Sequence, residues 1–375
     1  MSVLLMILGF VLFVLLVVVH EYGHFIMARR NNVEVEEFGI GFPPRAWKKK
    51  LKSGMLLTIN WLPLGGFVKL KGEHDADKAK GSYGAASLWA KTKIIGAGVV
   101  MNLLVAIAMF TLLALIGMPK IIENQFTVKS DTKTIRNDVL VADVEANSPA
   151  SKAGLDLRDK LITIGSVNGE VVKIVDAQSL PDITAKFQGQ KVNISFERNG
   201  KVNNAETQLR SATEVEASIG TDNPKGYLGI VPAEFTLQRS TWSAPIVGVG
   251  ITKQFTELTL KGLGSVVTGL MRGNTKQASE QVSGPVGIFV LIKDGSKLGL
   301  QFILMIIAII SLTLAIMNIL PIPALDGGRL FVSYLFKILN KPLSAEVEDR
   351  IHGLGFLALM LLFVLITVVD VKRFF

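Results

Sequence analysis

From Val3 to Val19 the chain is apolar without a break, and His20 and Glu21 then interrupt the run. Three later stretches are comparably long. The chain therefore offers four segments able to cross a hydrocarbon core of roughly 30 Å, which takes about 20 helical residues. They lie at residues 3–28, 94–118, 298–320 and 351–369. The third and fourth are nearly free of charge. The second carries Gly96, Gly98 and Asn102, small and polar positions that let one helix sit close against another.

Between the second and third segments the pattern changes. Short β-type runs at residues 139–144, 160–164, 192–197 and 227–231 are separated by turn signals such as Asn199-Gly200. They predict a small soluble α/β domain. Over residues 242–271 apolar positions recur at helical spacing, Ile251, Phe255, Leu258 and Leu263 among them. That spacing predicts an amphipathic helix, lying on a membrane or packed on the soluble domain. The fold class expected is a polytopic α-helical membrane protein of about four transmembrane helices with one inserted soluble domain. Residues 1–119 form the first membrane region, 120–235 the inserted domain, 236–300 an amphipathic helical linker and 301–375 the second membrane region.

Composition supports this picture. Almost half of the 375 residues are hydrophobic, and the mean hydropathy is positive, as in few soluble chains. The formal charge of +9 is not a nucleic-acid footprint, because the lysines and arginines cluster beside the apolar segments. With no cysteine, thiolate zinc sites and cysteine catalysis are excluded. The first apolar run has no basic stretch before it and no small-residue cleavage site after it, so it reads as a retained span. Arg29, Arg30, Arg45, Lys48, Lys49, Lys50, Lys52, Lys69 and Lys71 crowd the loop between the first two spans. This places that loop in the cytoplasm and the N-terminus and inserted domain outside. Lys372 and Arg373 would then lie outside, mildly against the rule.

The chemistry-bearing sequence is His20-Glu21-Tyr22-Gly23-His24. Helical positions i and i+4 share a face, so both imidazoles can reach one metal ion while Glu21 stands beside a metal-activated water. Two of the four histidines of the chain sit here, at the end of an apolar span where ionisable groups are costly. Catalytic zinc generally takes a third protein ligand. The candidate is Asp326, within Asn318-Ile319-Leu320-Pro321-Ile322-Pro323-Ala324-Leu325-Asp326-Gly327-Gly328, at the same membrane face as His24 by the topology above. Pro321 and Pro323 break the helix there and the glycines permit a tight turn. From the residues alone two readings stand open: a metal ligand, or an N-cap of a short helix over residues 329–339.

These motifs resemble the site-2 protease family of intramembrane zinc metalloproteases, in particular the bacterial regulator-of-sigma-E (RseP) type. The resemblance extends to Gly39-Ile40-Gly41-Phe42, Leu64-Gly65-Gly66-Phe67-Val68 and Ser283-Gly284-Pro285-Val286-Gly287-Ile288. It implies Zn2+ bound by His20, His24 and Asp326, with Glu21 as the catalytic base. It also implies a multi-pass protein of the bacterial cytoplasmic membrane with its active site near the cytoplasmic side. Expected substrates are single-pass membrane proteins cut in regulated intramembrane proteolysis, such as an anti-sigma factor, or remnant signal peptides. A non-proteolytic adaptor and a metal transporter are the competing classes. The intact four-residue set argues against the first, and the confinement of ionisable groups to one cluster against the second.

Three further readings concern substrate. Gly65, Gly66, Phe67 and Val68 have the character of a hairpin or edge strand, either pairing with unwound substrate by β-addition or forming an ordinary hairpin. Asn318 and Asn102 match family asparagines near the catalytic centre, and serve either substrate backbone or interhelical hydrogen bonds. The stretch 147–155, Asn-Ser-Pro-Ala-Ser-Lys-Ala-Gly-Leu, followed by Arg158-Asp159, is similar to the bacterial, circularly permuted PDZ pattern, with Arg158 where glycine is usual and 227–230 as the closing strand. It implies a single PDZ domain with a peptide or substrate segment in its groove. His74, among Glu73, Asp75 and Asp77, reads as a solvated polar loop, and His352 as an interfacial residue.

Overall fold

The computed structural model describes residues 2–167, 169–221, 223–273 and 284–375. Ser283 and the part of the expected linker over 274–283 lie outside the described residues. In chain order the elements begin with α1 (Ser2–Arg30), β1 (Val35–Lys50), β2 (Leu56–Leu70), α2 (Leu88–Ile116), β3 (Met118–Pro119), β4 (Lys133–Val144) and α3 (Pro149–Lys152). Then follow β5 (Lys160–Ser166), β6 (Val171–Lys173), α4 (Leu180–Ala185), β7 (Lys191–Arg198), β8 (Lys201–Gln208), α5 (Ala212–Glu216) and β9 (Ile230–Arg239). The chain ends with α6 (Ala244–Met271), α7 (Pro285–Gly295), α8 (Leu300–Ile319), α9 (Asp326–Ile338) and α10 (Ala345–Phe374). Two compact units result. One comprises Met1–Ile116, Asn124–Asp131 and Ser240–Phe375, the other Gly117–Glu123 and Thr132–Arg239.

In the first unit, α1, α2, α8 and α10 are the described helices long and apolar enough to cross a membrane. Helix α1 ends with Arg29 and Arg30 in its last turn, a favourable place for cations against the helix dipole. Asn32 then takes the left-handed conformation (φ 58°) that closes helices. Helices α1 and α2 approach closely at Gly23, where an added Cβ would lie 2.7 Å from the Ala97 carbonyl oxygen. The start of α8 packs on α1 and α7 through Leu16, Ile292, Ile303 and Ile307, all buried. Asp370 of α10, itself buried, accepts hydrogen bonds from the Gly284 and Gly287 amides at 2.9 and 2.7 Å. It thereby caps the otherwise unpaired amides at the start of α7.

The amphipathic helix is present as α6, but its partner is α2. An added Cβ at Gly248 would meet Thr111 Oγ1 at 2.2 Å, and Phe255 stacks on Phe110 at 5.6 Å between centroids. Val247, Ile251 and Phe255 are buried, whereas Leu258 of the expected stripe is exposed. Glycine at 248 removes the side chain that would hold α6 off α2, and this closeness was not encoded in the apolar spacing. Asp131 accepts from both the backbone amides and the hydroxyls of Thr241 and Ser243 ahead of α6. Those donors hold its carboxyl well below the usual carboxylate range.

The loop between the first two spans folds on itself. Residues 35–40 of β1 pair with 66–70 of β2 on one side and with 56–59 on the other, while 45–50 pair with 56–60. Gly65 has φ 97° where β2 turns. The stretch Gly66–Leu70 is thus an edge, flanked on one side alone. After β2, Tyr83 is fully buried, with the Lys91 ammonium 5.2 Å and the Arg329 guanidinium 4.7 Å from its ring. Lys91 also pairs with Asp75 at 2.5 Å, and Glu348 accepts from the Asp75 amide. These contacts tie the loop after β2 to α2, α9 and α10.

The second unit is a seven-stranded antiparallel sheet in the order β3-β9-β4-β5-β7-β8, with β6 also on β5. Strand β7 shows how the sequence makes it: Val192, Ile194 and Phe196 alternate with polar residues and enter a core with Val139, Leu161 and Leu228. The stretch after Asn147 is built as its residues dictate. Ser148 caps α3 through the Ser151 amide at 3.1 Å, Pro149 opens the helix, and Gly154 (φ 72°) turns the chain so that Leu155 is buried. Arg158 has φ 72°, a conformation that favours glycine. The closing strand starts later than the apolar run suggested, at Ile230, because Gly229 (φ 76°) is still turning, and it runs on to Arg239.

Candidate metal centre

Two elements far apart in sequence supply the donors. His20 and His24 lie one turn apart on α1 and are buried. Asp326 opens α9, 306 residues after His20. Its Oδ2 lies 2.9 Å from His20 Nε2 and 3.3 Å from His24 Nε2, and the two Nε2 atoms are 3.1 Å apart. Among the described residues this is the group of three or more His, Cys, Asp or Glu placed to hold one ion. Leu325, not Asp326, stands at the N-cap of α9. The carboxylate is turned to the imidazoles instead.

The turn before α9 explains how Asp326 arrives. Helix α8 stops at Ile319, before Pro321 and Pro323. Ala324 then takes φ 77°, and its amide donates to His352 Nδ1 at 3.2 Å. His352 therefore holds this turn from α10, a contact that its reading as an interfacial residue did not contain. Gly327 and Gly328 are not turn residues. An added Cβ would lie 2.3 Å from the Ile319 carbonyl oxygen and 1.9 Å from that of Ile322, so glycine is required by close backbone approach.

Helix α2 sets the imidazoles. His24 Nδ1 donates to the Ile94 carbonyl at 2.8 Å, which leaves Nε2 with its lone pair facing Asp326. Asn102 is buried, its amide 3.2 Å from His20 Nδ1, and its Oδ1 has no partner. A half-turn of the amide lets Oδ1 accept from Nδ1–H and satisfies both groups. His20 then also presents a bare Nε2. Two neutral imidazoles and one carboxylate converging through lone pairs form a donor set suited to zinc, and the tautomers fixed from behind fit that ion. Gly98 allows the approach. An added Cβ there would sit 2.5 Å from His24 Nε2 and 2.6 Å from His20 Cε1.

Glu21 is adjacent to both imidazoles but is not in the donor set. It faces the edge of β2: the Val68 amide points to its carboxylate, and an added Cβ on Gly66 would be 3.3 Å from its Cγ. Of the other sequence candidates, Gly65, Gly66, Phe67 and Val68 form this edge. Asn318 lies at the end of α8, half-buried and without a hydrogen-bond partner among the described residues. Asn102 is committed to His20. Sequence reasoning did not find the Ile94 carbonyl, which carries no side-chain signal. Nor did it find the role of Gly98, which it grouped with Gly96 as a helix-packing position. His74 pairs with Asp349 at 2.9 Å.

Comparison with known proteins gives an independent line. The model of peptidase family M50 matches residues 8–362. A provisionally named zinc metalloprotease of Clostridium perfringens is 30% identical over 357 residues, covering 95% of each chain. The zinc metalloprotease RasP of Geobacillus kaustophilus is 25% identical, covering 97% of each chain. The regulator of sigma-E protease RseP of Salmonella typhimurium is 26% identical, covering 96% of each.

Proposed function

Because this chain belongs to peptidase family M50 and is a zinc metallopeptidase of the membrane, we propose that it hydrolyses peptide bonds within or next to the transmembrane segments of other membrane proteins, with His20, His24 and Asp326 as zinc ligands and Glu21 as the base. The observation that carries the residue assignment is the convergence of His20, His24 and Asp326 with Glu21 beside them. When bound, zinc supplies Lewis acidity and brings the pKa of a water toward neutrality. Glu21 takes the proton of the attacking water and passes it to the leaving amide nitrogen. Ile94 and Asn102 keep Nδ1–H of each imidazole engaged and so hold the rings in the ligating tautomer.

A helical substrate hides its peptide bonds inside its own hydrogen bonds, so it must be extended before it is cut. The edge formed by Gly65, Gly66, Phe67 and Val68 runs past Glu21 and offers backbone pairing to such a segment. Asn318 provides a free amide for substrate backbone groups released by unwinding. Single-pass membrane proteins, including anti-sigma factors and remnant signal peptides, are the substrate class this arrangement suits. The first loop lies in the cytoplasm, and the second unit outside it is a PDZ-type domain. Its peptide site is the edge of β9 after Gly229, beside the loop before α4 that Glu234 holds through the Ala177 amide.

The test is cleavage of a tagged model transmembrane substrate by purified protein in detergent, comparing wild type, Glu21→Gln and chelator-treated wild type. Cleavage by untreated wild type alone is expected. Equal cleavage by Glu21→Gln defeats the assignment of the base, and zinc retained in full by His20→Ala defeats the ligand set.

A further inference from the structure

Gly96 differs from the other glycines of the second span. An added Cβ meets no atom within 4 Å, whereas Gly98, two residues on, touches both imidazoles. The space beside Gly96 is a cavity of about 340 Å³, within the size of small ligand pockets (roughly 300–1,000 Å³). It is lined by Gly96 and Val99 of α2, Asn318 of α8, and Gly327, Leu330 and Phe331 of α9, among others.

We infer that this cavity receives a large apolar side chain of the extended substrate next to the scissile bond, and so determines which residue the enzyme accepts there. The inference rests on the proteolytic reading above. Three features of the cavity carry it. It neighbours the metal centre, because its lining residue Gly327 follows Asp326 in the chain and its lining residue Ile95 follows Ile94, whose carbonyl holds His24. Its lining is apolar apart from Tyr334, whose hydroxyl is paired with Thr92 Oγ1, and Asn318, whose side-chain amide has no partner among the described residues. The third feature is the missing side chain at residue 96, which leaves room between the buried Ile95 and the exposed Ile319 and Phe331. A lipid chain would fill apolar space but would leave the Asn318 amide unused.

Leucine at residue 96, where an added Cβ meets no atom within 4 Å, is expected to fill the cavity from α2. The experiment measures kcat/KM of wild type and Gly96→Leu on model substrates carrying Phe or Ala at each position flanking the cut. At one position wild type is expected to prefer Phe, and Gly96→Leu to lower the Phe-to-Ala ratio at least about tenfold, the scale on which apolar pockets discriminate size. Zinc content is measured alongside and is expected to be full. A ratio within twofold of wild type, with both rates lowered or neither, overturns the inference and is the result for a lipid-filled or purely structural cavity.

A second measurement does not depend on turnover. A substrate with a photoreactive phenylalanine analogue, placed in turn at each residue of its transmembrane segment, is irradiated with Glu21→Gln enzyme. Labelling of the peptide containing Leu330 and Phe331 from one position, lost in the Glu21→Gln, Gly96→Leu double variant, is expected. Labelling of that peptide from no position, or labelling unchanged in the double variant, overturns the assignment. If wild type cuts no substrate yet the labelling holds, the proteolytic reading fails and the binding site survives.

Discussion

Asn102 lies with its amide 3.2 Å from His20 Nδ1, buried in the second candidate span. The sequence left this residue between serving substrate and bonding another helix, and its side chain is turned to another helix, where its partner is a metal-site imidazole of α1. Loss of such a partner generally costs about 10- to 100-fold in metal affinity. Asn102→Leu is therefore expected to lower zinc affinity within that range, measured by competition with a chromophoric chelator. Unchanged zinc affinity with reduced cleavage would return Asn102 to a substrate role.

Gly98 and Gly96 are indistinguishable in sequence character but not in surroundings. Gly98→Ala puts a methyl group 2.5 Å from His24 Nε2, a separation that forces the imidazoles or the helices apart. Purified Gly98→Ala is expected to carry little zinc by elemental analysis, and Gly96→Ala a full complement. Equal zinc in both would show that α1 and α2 can part without loss of the site.

Val68 sits on the free edge of β2, its amide toward Glu21. Proline is tolerated at strand edges where the amide is not needed by the ladder, but it removes the donor. Val68→Pro is expected to reduce cleavage at least about tenfold, the scale of a lost backbone hydrogen bond of about 1.4 kcal/mol, without zinc loss. Cleavage at the wild-type rate would end the proposal that this edge pairs with substrate.

His74 donates to Asp349, and that bond raises its pKa above the ordinary value of about 6.5. Glu348 and Asp77 act in the same direction, while partial burial opposes them. A raised folded-state pKa means the contact stabilises most fully below about pH 6.5, and that stabilisation is lost as pH rises through the folded value. The difference in Tm between wild type and His74→Ala is expected to be largest in mildly acidic buffer and to shrink as pH rises. A difference that is constant or grows with pH would show that the contact works by packing alone.

Much of the fold was legible because its signals are local. A run such as residues 3–19 states its helix by hydrophobicity, and in Val192, Ile194 and Phe196 the alternation states a strand. The spacing of His20 and His24 places them on one helical face wherever the helix goes. By contrast, the sequence did not say whether Asp326 caps its helix or faces the metal site, since both uses begin with an aspartate before a short helix. The choice is made by Gly327 and Gly328, which let the backbone approach the end of α8, and by His352, which holds the turn from α10. Likewise, apolar spacing predicted α6 but not its packing on α2, because the spacing defines a face and not its partner. Gly96 and Gly98 make the same point. Sequence determined that two side chains are missing from the second span, and only the neighbours brought by tertiary packing decided that one absence admits two imidazoles and the other opens a cavity.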